Sequence, residues 1–189
     1  MGRFLGNLSS DAFGYPIGEM KIAHYNIPAA QVVAADADGL LDGHEIGAAA
    51  SVVTTFLNEM PFAMNITMVC SAAQAGKATV YGKNINGDPI SEEFTLNGDT
   101  PVTGAKAFAS VDSIALPIKT GSETIDVGWG TKFGLPYCLT ADELVIVKLF
   151  NNSADSGTVT VDADEVEKNV FALNGTADGE KPIDLYIIV

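Results

Sequence analysis

The clearest indication of the fold is one continuous stretch, Ala78-Thr-Val-Tyr-Gly-Lys-Asn-Ile-Asn-Gly-Asp-Pro-Ile-Ser-Glu-Glu-Phe-Thr-Leu-Asn-Gly98. Two runs of β-forming residues flank Asn86-Gly87, and this dipeptide between alternating apolar residues is the strongest short-range signal for a β-hairpin. After the turn, Ile90, Phe94 and Leu96 are evenly spaced, which places them on one face of a strand. The stretch therefore predicts a hairpin with one apolar face.

The residues that follow extend this pattern. Phe108, Ile114 and Leu116 are also evenly spaced, which predicts a third strand with room for a bulge and makes the unit a β-meander. Nothing in the meander suggests catalytic chemistry. It is typical of a protein that presents a surface.

Further runs on both sides of the meander have the same character. Residues 65–70, 124–130 and 157–162 predict strands, and the nearly continuous apolar run 143–150 predicts a strand buried on both faces. About eight short strands with many turns and little helix indicate an all-β fold. We expect a single β-sandwich or barrel-like domain of the Greek-key or jelly-roll type.

The last run, Ile183-Asp-Leu-Tyr-Ile-Ile-Val189, predicts a strand at the end of the chain. Exposed apolar strand edges promote aggregation, so this strand must be paired, either within its own sheet or with a neighbouring molecule. Tyr186 in this strand is a candidate contact residue.

The first 35 residues predict an extended N-terminal arm, and residues 36–189 the β-domain. Glycines and prolines interrupt any regular period in the arm, yet it is rich in apolar side chains, which a disordered linker would lack. We expect these side chains to dock on the chain's own core, a sister subunit or a larger surface. The candidate contact residues are Phe4, Leu5, Leu8, Phe13, Tyr15 and Ile17 in the arm, with Trp129 and Tyr186 in the domain.

Charge and composition exclude several classes of partner. The formal net charge is −14 and the ten basic residues are scattered, which argues against binding to nucleic acid. No apolar run approaches the roughly 18 residues that a membrane-spanning helix needs, and the N-terminus lacks the apolar core of a secretory signal. The two cysteines, Cys70 and Cys138, are expected to be buried, reduced thiols.

The acidic stretch Asp36-Ala-Asp-Gly-Leu-Leu-Asp-Gly-His-Glu45 has the composition of a calcium loop. Its spacing fails the EF-hand pattern, because Leu40 and Gly47 occupy positions five and twelve. An acidic turn without metal is the favoured interpretation, although the sequence does not decide whether calcium binds. No motif for a nucleophile, zinc site or phosphate loop is present, so we predict no catalytic residues, no cofactor and no enzyme activity.

Several segments resemble virion proteins of tailed bacteriophages: residues 65–68, residues 76–108, Lys132-Phe-Gly-Leu-Pro-Tyr137 and the terminal run 183–189. Over residues 60–189 the chain is similar to capsid decoration, or cement, proteins. The resemblance implies a structural virion protein without an active site. By the same resemblance, we expect the protein to be made in the host cytoplasm and to bind the outer surface of the capsid, where it would contact the major capsid protein and stabilise contacts between capsomers.

The resemblance also implies a homotrimer, because decoration proteins commonly occupy three-fold positions, and it makes the candidate contact residues a capsid or subunit interface. The main alternative is a receptor- or glycan-binding module of a head or tail fibre, in which Trp129 and Tyr137 would stack on sugars. A hydrolase acting on cell surfaces and another virion part, such as a tail-tube or head-completion protein, are further alternatives.

Overall fold

The structure, a computed structural model, describes residues 21–189. Of these residues, 51% lie in strands and 5% in helices, and every strand pairing is antiparallel. The all-β prediction is confirmed: the antiparallel sheets curl into a barrel-like arrangement. The six arm residues from Phe4 to Ile17 that were predicted as contacts lie outside the described residues.

The strands of the described chain follow one another with short connections and three single-turn 3₁₀ helices at Ala29–Gln31, Asp142–Leu144 and Val166–Lys168. The strands are β1 (Ile22–Ile27), β2 (Asp36–Glu45), β3 (Ser51–Val53), β4 (Met64–Cys70), β5 (Lys77–Lys83), β6 (Pro89–Thr95), β7 (Val102–Phe108), β8 (Ser110–Leu116), β9 (Thr124–Gly134), β10 (Val145–Phe150), β11 (Ser153–Ala154), β12 (Thr158–Thr160), β13 (Val170–Ala172) and β14 (Ile183–Ile188).

These strands form three sheets. The terminal sheet, which contains the first and last strands, has the order β1-β14-β10-β11. The central sheet has the order β12-β13-β9-β4-β7, with β2 also paired to β9. The hairpin sheet has the order β3-β8-β5-β6. Buried residues of all three sheets belong to one hydrophobic cluster, so the sheets share a common core.

The predicted hairpin is present as β5 and β6, with Val80 and Phe94 buried. Its turn differs from a two-residue Asn-Gly turn. The amide of Gly87 donates to the carbonyl of Asn84, and Gly87 has a φ of +86°, which is the geometry of a three-residue loop closed by a glycine in the left-handed region. The side chain of Asn84 selects this loop, because its Oδ1 accepts hydrogen bonds from the amides of Asn86 and Asp88, both at 3.0 Å.

The single third strand predicted after the hairpin is wrong. The chain forms two strands there: β7 pairs with β4 in the central sheet, and β8 pairs with β5 and β3 in the hairpin sheet. The crossing at Ala109 is tight, since a Cβ on Gly82 would lie 2.0 Å from the carbonyl oxygen of Ser110. Phe108 and Ile114 are nevertheless both fully buried, because the two sheets cover the same core.

The C-terminal strand lies inside its own sheet. β14 is flanked by β1 and β10, and its Ile183, Leu185 and Ile187 are fully buried. Part of the stretch predicted as an arm is therefore integral to the domain, since Ile22–Ile27 forms β1 along one side of β14.

Two expectations about burial fail. The run 143–150 was predicted to be buried on both faces, yet in β10 the side chains of Ile146 and Val147 are exposed by 46% and 37%. This strand has only one face on the core, and a register shift between Val145 and Val147 turns Ile146 outward. Both cysteines are free thiols as expected, but only Cys70 is buried, while Cys138 is exposed.

Candidate interaction surface

The outer face of the terminal sheet carries several large apolar side chains that are exposed or half-buried. Along β14, alternate residues are buried, so Asp184, Tyr186 and Ile188 point away from the core. Their cross-strand partners share this face: Ile22 lies opposite Ile188 on β1, and Val147 lies opposite Tyr186 on β10. We call this surface the apolar face.

The apolar face is built from side chains that antiparallel sheets usually keep inside. Ile22 is exposed by 62%. Tyr186, Ile188 and Leu149 are half-buried, and they are absent from the residues packed against the described core. Large apolar side chains gathered on one outward face are typical of surfaces that bind another protein.

The centre of the apolar face carries one polar cluster. The ring of His24 stacks on Tyr186 with centroids 4.7 Å apart. His24 Nε2 lies 2.7 Å from Asp184 Oδ1, and the Asn26 side-chain amide donates to the same oxygen at 2.9 Å. Asp184 is the only acidic residue on β1, β10 and β14, so the face carries little of the negative charge that dominates the chain.

The outer face of the hairpin sheet provides a contrast. Its outward positions include Thr79, Ser91 and Ser113 beside the exposed Tyr81 and Val52, and Lys77 forms an ion pair with Glu93 across β5 and β6. This is the ordinary pattern of an antiparallel sheet with one face in water. The difference between the two sheets shows that the apolar face is a local property and does not follow from the overall composition.

Of the two candidate contact residues in the described chain, only Tyr186 is on a surface that can bind a partner. Trp129 lies on β9 in the interior, where 7% of its surface is exposed. Its Nε1 donates to the carbonyl of Ala34 at 3.1 Å, and its ring packs so closely on Gly39 that a Cβ there would lie 2.5 Å away. Trp129 therefore holds β2 against β9, and in this conformation it cannot contact a capsid or stack on a glycan.

The acidic stretch 36–45 is a strand and not a turn. It forms β2, which pairs with β9 with two irregularities in register. A hydrogen bond with Asp38, together with partial burial, raises the pKa of the Asp36 carboxyl, and the amide of Gly43 donates to Asp126 Oδ1 at 2.6 Å. Within residues 21–189, no group of three or more His, Cys, Asp or Glu side chains is arranged to hold a metal ion.

A second charged cluster stabilises the fold beneath β7. Lys106 Nζ contacts Glu165 Oε1 at 2.8 Å and Glu167 Oε1 at 3.0 Å. Burial lowers the pKa of Lys106, but the hydrogen bonds and charges of the two carboxylates outweigh it, so the pKa is raised. The side chain of Lys106 is 18% exposed and that of Glu167 is 9% exposed, so this cluster is a structural tie between β7 and the 3₁₀ turn and is poorly placed for reaction with a ligand.

Searches of protein-family models, curated proteins and solved structures find no match to this chain. In the part of the chain that the structure describes, no helix is long and apolar enough to cross a membrane.

Sequence reasoning found Tyr186 but missed its neighbours on the apolar face. Ile22 and His24 were assigned to the arm, and Val147 to a strand with no outward face. The available signal was that 143–150 and 183–189 are both nearly continuous apolar runs in a chain whose other strands alternate. Two such runs in neighbouring strands indicate either two-sided burial or a docking face.

Proposed function

We propose that this protein is a structural virion protein that binds the outer surface of a tailed-phage capsid and stabilises contacts between capsomers. The observation that carries the proposal is the apolar face: an outward sheet surface with Ile22, Tyr186 and Val147 and a single acidic residue. The resemblance of residues 60–189 to decoration proteins supplies the kind of partner, which is the major capsid protein.

The physical argument concerns how an acidic protein attaches to a large particle. A net charge of −14 disfavours non-specific association between copies, so attachment must come from burial of apolar surface. A flat sheet face suits this role because its backbone is already ordered, which lowers the entropy that binding would otherwise cost. Tyrosine is also among the side chains most enriched at the centres of protein interfaces.

The alternative of a glycan-binding fibre module has less support. It relied on Trp129 and Tyr137 as stacking platforms, and Trp129 is buried with its indole N–H already bonded. Tyr186 stacked on His24 is the one aromatic pair on the apolar face, and the surrounding Ile22, Ile188 and Val147 offer no hydrogen bonds to sugar hydroxyls.

The experiment that tests the proposal is the copy number of this protein in purified virions of the phage that encodes it, measured against the major capsid protein by quantitative mass spectrometry. A copy number close to that of the major capsid protein is expected. A few copies per particle would assign the protein to a fibre, tail or portal vertex, and complete absence from virions would overturn a virion role.

A further inference from the structure

The sheets of the described chain have seven edge strands, and six of them carry a feature that discourages pairing with another chain. Three are very short: β3 and β12 have three residues and β11 has two. The edge strand β2 carries four acidic residues and two irregularities in register. Short strands, charges and bulges are the devices by which natural sheets avoid joining at their edges.

The two remaining long edges outside the terminal sheet are also protected. β6 contains Pro89, Glu92 and Glu93. Two amides of β7 are already used, since the N–H of Ala105 donates to Glu92 Oε1 at 2.7 Å and that of Lys106 donates to Glu92 Oε2 at 3.3 Å. One side chain thus covers the edge of β7.

β1 has none of these features. It is six residues long, Ile-Ala-His-Tyr-Asn-Ile, with no proline, acidic residue or lysine. Its pairing with β14 is regular over all six positions. Among residues 21–189, β14 is the only strand that pairs with β1, and we call the other side of β1, with which none of these residues pairs, the open edge.

The hydrogen-bonding pattern shows which groups this edge offers. Lys21 and Val189 exchange both backbone hydrogen bonds, at 3.2 and 2.9 Å. Because such pairs recur at every second residue of an antiparallel ladder, Ala23, Tyr25 and Ile27 bond to β14. The N–H and C=O groups of Ile22, His24 and Asn26 therefore point to the open edge.

We propose that β1 pairs with β1 of a second copy of this chain, in antiparallel orientation about a two-fold axis at His24. Ile22 then lies opposite Asn26 of the second copy, and about six backbone hydrogen bonds join the two terminal sheets into one. Two chains of net charge −14 repel each other least where they meet at a strand without acidic residues. A two-fold pairing also closes the assembly at two copies.

The pairing has a consequence for the apolar face. In the joined sheet the two apolar faces lie side by side on the same surface, so that a partner surface meets both at once. Two linked contacts bind more tightly than either alone, because the second forms within one complex. The pairing itself does not depend on the proposed function, and it is tested on the purified protein without capsids.

The test is the mass of the full-length protein in solution by sedimentation equilibrium, with hydrogen exchange of the backbone amides by NMR. The mass is expected to rise with concentration to twice the chain mass of 19.7 kDa. The amides of Ile22, His24 and Asn26 should become protected from exchange over the same range of concentration. Asn26→Pro removes one of these donors from the open edge and should reduce dimer affinity at least tenfold.

The control is Ser91→Pro on β6. The N–H of Asn84 donates to the carbonyl of Asp88, so by the same alternation the N–H of Ser91 points away from β5. This variant should dimerise like the wild type. A mass of one or three chains at all concentrations, or a dimer unaffected by Asn26→Pro, would overturn the proposal. So would a monomer that dimerises only after deletion of residues 1–20, because the chain's own N-terminus would then occupy the edge. If Asn26→Pro does not fold, the exchange of the wild-type amides decides.

Discussion

Tyr186 stacks on His24 across β14 and β1, with ring centroids 4.7 Å apart and ring planes inclined by 17°. The stack lies at the middle of the apolar face, and Asp184 anchors the imidazole from one side. Two flexible ring side chains are thereby fixed before any partner arrives. An ordered aromatic side chain loses little entropy on binding and therefore contributes strongly to affinity.

Replacing Tyr186 by Ser should weaken attachment to capsids. Truncation of a central interface tyrosine typically costs about 2 kcal/mol, which is roughly 30-fold in affinity. Co-sedimentation of the purified variant with capsids that lack the protein measures this. The matched control is Tyr81→Ser, because Tyr81 is a 47% exposed tyrosine on the polar outer face of the hairpin sheet. Equal losses of binding for the two variants would contradict a role for the apolar face.

Replacing Gly128 by Ala should destabilise the domain by separating two strands. A Cβ at this position would lie 1.8 Å from the carbonyl oxygen of Asp36, so β2 must move away from β9. Overpacking of this kind costs typically 1–3 kcal/mol, and because the clash is with backbone we expect about 3 kcal/mol. Urea denaturation followed by circular dichroism gives the free energy of unfolding.

The comparison variant for Gly128 is Gly87→Ala in the hairpin turn. Gly87 has a φ of +86° and no atom within 4 Å of the added Cβ, so its cost comes from backbone strain alone and should be about 1 kcal/mol. If Gly87→Ala destabilises the protein as much as Gly128→Ala, the close approach of β2 to β9 is not what Gly128 provides.

How far the sequence predicted this fold depends on the range of the interaction involved. The hairpin β5–β6 follows from a local signal, since Asn-Gly and alternation specify both strands. The division of residues 102–116 between two sheets does not, because Phe108 and Ile114 have the same spacing whether they share a strand or face one core from two sheets. The spacing of the apolar residues indicates only that they are buried. The change of sheet at Ala109 depends on Gly82, which lies 27 residues earlier in the chain.

The candidate surface was predicted less well than the fold, for a related reason. An apolar residue that binds a partner and one that fills the core are chemically the same, so Trp129 and Tyr186 were grouped together. The structure separates them through their neighbours. Gly39 and Ala34 enclose Trp129, whereas Tyr186 lies on the face of β14 that points away from the core. That distinction depends on long-range packing and leaves no local trace.

The burial of Trp129 predicts its fluorescence. It is the only tryptophan of the chain, so the emission spectrum reports on this one site. The emission of the native protein should be blue-shifted and resistant to quenching by acrylamide, and both properties should vanish on unfolding. Emission and quenching should also stay unchanged when glycans are added, and a glycan-dependent change at this residue would restore the fibre-module alternative.

The cluster around Lys106 predicts how stability depends on pH. Hydrogen bonds from Lys106 and Lys168 lower the pKa of Glu165, and backbone amides lower the pKa of Asp162. A carboxyl whose pKa is depressed in the folded state stabilises the protein above its unfolded pKa, near 4, and this contribution is lost as the pH falls through the folded pKa. The raised pKa of Lys106 gives stability that is lost as the pH rises through its folded value.

The free energy of unfolding should therefore be level between about pH 5 and pH 9 and fall on both sides. Thermal unfolding across this range measures it. Lys106→Met should reduce the loss on the acid side and also cost about 2 kcal/mol at neutral pH, because the buried side chain of Glu167 loses its hydrogen-bond partner. Adding Glu167→Leu to that variant should recover most of the stability. A double variant no more stable than Lys106→Met would show that the ion pair is not the cause.

Two N-terminal deletions separate the arm from the domain. Removing residues 1–30 deletes β1, and with it the fully buried Ile27 and the backbone bonds to β14. Because this loss amounts to several kcal/mol, the variant should lose cooperative unfolding, or its melting temperature should fall by more than 10 °C. Removing residues 1–20 ends the deletion before Lys21 and keeps every strand that the structure describes. Only the shorter deletion can therefore test whether Phe4, Leu5, Leu8, Phe13, Tyr15 and Ile17 contact the capsid. If they do, capsid binding by this shorter deletion variant should fall, while Tyr81→Ser, the surface control, binds normally. Unchanged capsid binding by the deletion variant would mean that attachment depends on the apolar face alone.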